Sequence, residues 1–134
     1  MIELRRSDLI DTDLASRFAR YSKHQGQFNR AIEAVLDGCV KKHLFMPSGR
    51  TLYTVIGRSG EEFMDPHRPF CSCKDFFFRV LGGQIETCYH LLSYEIAKEA
   101  QLFDEVIFND DEFRTFLGLL TLDILEDKED KDYS

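Results

Sequence analysis

The pattern Cys71-Ser72-Cys73, fourteen residues, then Cys88-Tyr89-His90 constrains this 134-residue chain more than any other stretch. It holds three of the four cysteines and one of the four histidines, and three thiolates with one imidazole make a complete tetrahedral donor set for zinc. A disulfide is the first competing reading. One intervening residue would strain a Cys71–Cys73 bridge badly, and any other bridge leaves one of the three unpaired. Simple burial is the second, since Cys88 and His90 stand among Tyr89, Leu91 and Leu92; two tight pairs of ligand-type residues outweigh it. Soft donors select zinc over magnesium, calcium and manganese, while ferrous iron fits the same set in vitro. Four protein ligands leave no position for a reactive water, so the expected cofactor is one structural Zn2+ held by Cys71, Cys73, Cys88 and His90.

Cys71-Ser72-Cys73-Lys74-Asp75-Phe76 on one side and Cys88-Tyr89-His90-Leu91-Leu92 on the other resemble, in order and spacing, the SWIM-type zinc finger. The stretch from about residue 40 to about residue 100 is similar to small archaeal SWIM proteins predicted to bind nucleic acid. By the same motif it is similar to the SWIM subunit of Shu-type recombination mediators, which partners RecA-family recombinase paralogues. The resemblance implies nucleic-acid binding, DNA first, a place in DNA recombination or repair, and a recombinase paralogue as protein partner. It does not reach the acidic C-terminal part.

The expected fold class is α+β: N-terminal helices, a three-stranded antiparallel meander, the zinc knuckle with its following helix, and a C-terminal helix. Four segments follow: an N-terminal helical segment (1–39), the SWIM-type zinc-binding domain (40–103), an acidic, leucine-rich helix (104–125) and a charged, disordered tail (126–134). Asp11-Thr12-Asp13 caps a helix over 13–24 carrying Leu14, Phe18 and Tyr21, and Phe28, Ile32, Val35 and Leu36 mark a second helical stretch that ends at Gly38. The two could equally form one kinked helix. From Val40 the period changes to two. Val40 to Met46 and Leu52 to Ile56 read as strands joined by a turn at Pro47 to Arg50, and a short third strand lies near Glu62 to Met64. Between the ligand pairs, Phe76, Phe77 and Phe78 form a short helix that reads as core in preference to a base-stacking platform. Thr87 is the expected N-cap of a helix from Cys88 to about Glu99, whose positive end favours the Cys88 thiolate.

Charge is segregated. Residues 1–103 hold 14 Lys/Arg and 13 Asp/Glu, whereas residues 104–134 hold 3 and 11, so the overall charge of −7 does not by itself exclude a nucleic-acid partner for the zinc-bearing part. Lys41, Lys42, Arg50 and Arg58 around the hairpin, with Lys74 beside the metal, are the candidate phosphate contacts. Asn109 or Asp110 caps the last helix, in which Phe113, Phe116, Leu117, Leu120 and Ile124 make one stripe and Leu119, Leu122 and Leu125 widen it. Such a helix buries one side in its own domain and leaves leucines for a protein contact, either a second copy of the chain or another partner. No Ser/His/Asp set or phosphate-binding loop is evident, His24, His43 and His67 lack recognisable partners, and the expectation is that the protein is not an enzyme. No apolar run approaches the roughly 20 residues needed to span a bilayer, and MIELRRSDLIDTD has no apolar signal core. No membrane role is expected, and the expected location is cytoplasmic, or nuclear if the host is eukaryotic.

Overall fold

A computed structural model of the chain describes residues 25–57, 60–85 and 87–130. The N-terminal helix expected over 13–24, with its cap, lies outside the described residues, as do His24 and Arg58. Helix α1 spans Gln25–Leu36 and ends where expected, with Gly38 in the left-handed region at φ +72° and the Cys39 amide donating to the Ala34 carbonyl at 2.9 Å.

The period-two segments form β1 (Val40–Met46), β2 (Arg50–Gly57) and β3 (Gly60–Asp65), an antiparallel meander in which Val40 faces Val55 and Tyr53 faces Met64. The sheet is larger than the expected three strands. Phe70–Cys71 forms β4 against β3, and Asp104–Asn109 forms β5, parallel to β1, giving the order β4-β3-β2-β1-β5. The acidic start of β5 hid its strand character, because Asp104 and Glu105 are weak strand formers until Lys41 and Lys42 stand opposite them in register. A five-residue π-helical turn (Phe76–Val80) follows β4, and helix α2 runs from Tyr89 to Ala100. After β5, a 3-10 turn (Asp110–Glu112) leads into α3 (Phe113–Asp130), five residues longer than its leucine pattern implied, so that the first part of the expected disordered tail is helical. Asn109 is the N-cap, as expected, and its amide donates to Glu112 Oε1 at 3.3 Å. No helix among the described residues is long and apolar enough to cross a membrane.

Helices lie on both faces of the sheet. On one face α1 and α2 cover Val40, Val55 and Met64 with Val35, Leu92 and Ile96, all essentially inaccessible. Each such side chain contributes about 1.5–3 kcal/mol through removal from water. On the other face Phe45, wholly buried, stacks on Phe108 at 5.1 Å and meets the edges of Phe113 at 5.0 Å and Phe116 at 5.7 Å, so that α3 is held to the sheet by rings. Two polar ties add to the rings, one just before the helix and one past its middle. Ser48 Oγ donates to Asp110 Oδ1 at 2.7 Å, and the Glu61 amide donates to Asp123 Oδ2 at 2.5 Å across Gly60, whose missing Cβ would stand 2.9 Å from that carboxylate.

The three phenylalanines between the ligand pairs divide, which corrects the expectation that they are core. Phe76 is buried, Phe77 is 44% exposed and Phe78 73% exposed, because the short turn offers only one side to Phe70 and the sheet.

Candidate metal centre

Cys71 closes β4, Cys73 precedes the π-helical turn, Cys88 is the N-cap of α2, and His90 lies in its first turn. Local bonding sets this arrangement. The Ser72 amide donates to the Phe63 carbonyl at 3.0 Å and Ser72 Oγ accepts from the Phe63 amide at 2.9 Å, which pins the residue between the first two cysteines to β3. The Phe76 amide donates to Cys73 Sγ at 3.4 Å, the knuckle-type support a metal-bound sulfur needs. Thr87 is not the helix cap. Its carbonyl accepts from Gln27 Nε2 at 3.2 Å, which ties α1 to the start of α2, and Cys88 takes the capping position with extended backbone.

The structure brings the four candidate ligands together: their ligand atoms all lie within 4.8 Å of one another, and all four residues are buried. All four cysteines are free thiols, so no disulfide competes. Gly57 shapes the wall next to the site. A Cβ there would stand 2.6 Å from the Tyr89 hydroxyl and 3.5 Å from His90 Nε2, and its absence lets Tyr89 lie against the His90 ring at 4.0 Å between centroids.

Two features test whether these residues fit a metal. His90 Nδ1 is buried without a hydrogen-bond partner, an arrangement that leaves an imidazole lone pair or proton unsatisfied unless something else takes it. The sulfurs also compete for negative charge. The Cys71 and Cys73 thiols beside it pull Cys88 down to about 4, helped by the amides of Leu91 and His90 against the opposing effect of burial. Cys71 is pushed up by Cys73, then Cys88, then burial. The Cys88 thiolate is therefore sustained by its neighbours while Cys71 resists ionisation, and a divalent cation is the partner that relieves both. The residues present fit zinc in donor type, number and proximity.

The candidate phosphate contacts are not brought together. Lys41 pairs with Asp104, and Lys42 lies 3.6 Å from Glu105, the two being neighbours on β1 and so on opposite faces of the sheet. The basic hairpin edge is absent here, because β5 covers that side of β1. Arg50 lies over the Phe113 ring at 4.3 Å, and Lys74 lines a cleft of about 560 Å³ with Arg30, Asp75 and Tyr89. Of the candidate interface residues on α3, Leu120 is buried and Phe113, Phe116, Leu117 and Ile124 are half-buried, whereas Leu119, Leu122 and Leu125 are 64%, 59% and 52% exposed. Only the latter three are left for a second molecule.

Sequence reasoning missed a polar cluster under α3. His43, 4% exposed, bonds Thr54 Oγ1 through Nε2 at 2.9 Å; Thr54 donates to Glu61, and Phe116 packs on the imidazole at 4.4 Å between centroids. The signal was faint: His43 and Thr54 are inward-facing polar residues on strands otherwise inward-apolar, recognisable only once the register is known. Glu61 is held below the ordinary carboxylate range, first by His43 and also by Thr54, against its partial burial.

No protein-family model matches the chain, and no solved structure matches it. Among curated proteins, the zinc finger SWIM domain-containing protein 7 homolog of Dictyostelium discoideum is 30% identical over 87 residues, which is 63% of this chain and 56% of that protein. The matched part is thus a little over half of the relative's length. Over the matched residues the chain is similar to a SWIM zinc-finger domain protein, and its Cys71, Cys73, Cys88 and His90 form a cluster compatible with a zinc site.

Proposed function

We propose that the chain is a non-enzymatic zinc module in which Cys71, Cys73, Cys88 and His90 hold one structural Zn2+, His90 through the otherwise unpartnered Nδ1. The observation that carries this is the convergence of four buried donor atoms within 4.8 Å. A full protein shell gives the ion no open position for substrate or water, so its contribution is to cross-link β4 to α2. Elemental analysis tests it. Protein purified without chelator should carry about one equivalent of zinc, and Cys88→Ser should lose it while Cys39→Ser retains it. Less than half an equivalent in the parent, or unchanged content in Cys88→Ser, overturns the reading.

A second reading, supported by the similarity to a SWIM zinc-finger domain protein and by the nucleic-acid role that the motif resemblance implies, is that the module binds nucleic acid, DNA first, in recombination or repair. Lys41 and Lys42 have carboxylate partners on β5, and the reading is tested at Arg50, beside the hairpin turn, and at Lys74, next to the metal ligands. Arg50→Ala/Lys74→Ala should flatten the slope of log K against log salt by roughly 0.7–0.9 for each phosphate that is no longer neutralised. Equal slopes in parent and variant remove these two residues from the interface, and no binding by the parent at ~50 mM salt removes the reading itself.

A further inference from the structure

The side of α3 that faces away from the sheet has three properties that packing among the described residues does not explain. Leu119, Leu122 and Leu125 recur every three residues along it and are each more than half exposed, forming a ridge of the kind that marks binding surfaces. Beside that ridge, in the middle of the helix, stands Gly118. A helix-interior glycine costs about 0.8–1.0 kcal/mol relative to alanine. Elsewhere in this chain a missing Cβ makes room for a neighbour, as at Gly57 and Gly60, but a Cβ at Gly118 would meet nothing within 4 Å. A gap next to a leucine ridge lets the backbone of a second helix approach closely. The third property is charge: Asp111 and Glu112 are exposed just before α3 and Glu126 along it, against one exposed Arg114, in a segment (104–134) of 3 Lys/Arg and 11 Asp/Glu of which Asp104, Glu105, Asp110 and Asp123 already have partners within the chain.

The charge decides between occupants. Two copies of this chain meeting through α3 would bring two such acidic segments together, and a nucleic acid would meet the same repulsion. We infer that the outer side of α3 docks an amphipathic helix of a different protein, whose apolar side lies on Leu119, Leu122 and Leu125, whose backbone passes over Gly118, and whose flanks carry Lys and Arg. This is helix-against-helix recognition with anchors at helical spacing and electrostatic steering from the rim. It does not rest on the metal or on the nucleic-acid reading, since the surface lies across the sheet from the cysteines.

The test uses the zinc-loaded full chain and three synthetic helical peptides: one with a leucine face and lysine flanks, one with the same leucine face and glutamate flanks, and one with the lysines and leucines of the first scrambled so that no face exists. Fluorescence anisotropy should give binding of the first at least about tenfold tighter than of either other peptide, a difference of about 1.4 kcal/mol. Leu119→Glu/Leu122→Glu discriminates further. It makes α3 more acidic, so mere electrostatic adhesion predicts tighter binding of the lysine peptide, whereas docking predicts loss by tenfold or more. Leu122→Ala, which adds no charge, should weaken binding in the same direction, and the thermal melts and zinc content of both variants establish that they are folded. Equal binding of the scrambled peptide, tighter binding by the double-glutamate variant, or binding of no peptide overturns the inference. So does a concentration-dependent dimer in sedimentation that Leu119→Glu/Leu122→Glu abolishes, which would assign the surface to a second copy.

Discussion

The two faces of the sheet are covered by opposite means. Under α1 and α2 the space between layers is filled by aliphatic side chains and by the four-residue donor cluster, with Cys71 and Cys88 as fully buried as Val55 or Met64. Under α3 it is filled by phenylalanine rings around Phe45 and by the His43-Thr54-Glu61 cluster, with no metal-type donor set among the described residues. One face is therefore expected to depend on an ion and the other on packing alone. Perturbations of the two should separate cleanly when stability and metal content are measured together.

The sharpest break comes from removing the ion. Structural zinc contributes on the order of 10–16 kcal/mol in finger peptides, comparable with or above the ~5–15 kcal/mol net stability of a whole domain. Chelation, or Cys88→Ser, should abolish the cooperative melt, with amides of α2 and of residues 70–100 losing hydrogen-exchange protection first. A chelated protein that melts as before would mean that the cysteine-bearing face stands on packing as well. Phe45→Ala strikes the other face and should cost about 3–5 kcal/mol by denaturant unfolding. Its zinc content should not change, and a parallel loss of metal would show the faces to be coupled.

How much of this contrast was legible beforehand follows from distance along the chain. The metal side was readable because each ligand pair is local and chemically distinctive, and α2 was placed to within a residue of its start. The division of α3 into a sheet-facing stripe and an outer ridge was equally readable, since helical spacing alone puts Phe116 and Leu120 on one side and Leu119 and Leu122 toward the other. What could not be read was anything requiring a partner far away in sequence. Strand β5 makes sense only beside β1, His43 only beside Thr54 and Glu61, and the exposure of Phe78 only once Phe76 has taken the inward position of a very short turn.

A smaller effect belongs to pH. Because the folded-state carboxyl of Glu61 lies below its ordinary value, the unfolded chain takes up that proton first. The contribution is complete above the ordinary carboxylate range, near 4.5, and is lost as pH falls through the lower folded value. Glu61→Gln should be less stable than the parent at neutral pH and should lose less on acidification, seen as a flatter acid limb in melting temperature against pH. An unchanged acid limb would show that the cluster under α3 does not contribute to the stability of its face. The smallest expected change has the opposite sign. Gly118→Ala should stabilise the chain by about 0.5–1 kcal/mol, since α3 gains helix propensity and the added methyl meets nothing. A destabilised Gly118→Ala would mean that α3 is packed on its outer side as well.

The parallel pairing of β1 with β5 has a consequence for synthesis. Residues 40 and 104 begin strands that lie side by side, so during translation the meander of β1, β2 and β3, which ends at Asp65, is complete about forty residues before β1's other neighbour exists. For that interval the row of backbone donors and acceptors along Val40–Met46 is open, next to the apolar Leu44 and Phe45, which is the situation that invites pairing between nascent chains. Lys41 and Lys42 stand on this strand, one on each face, and like charges opposite each other resist the stacking of two copies. When β5 arrives, Asp104 and Glu105 meet those same lysines. The two ion pairs thus mark where a guard against misassembly becomes the register key of the finished sheet.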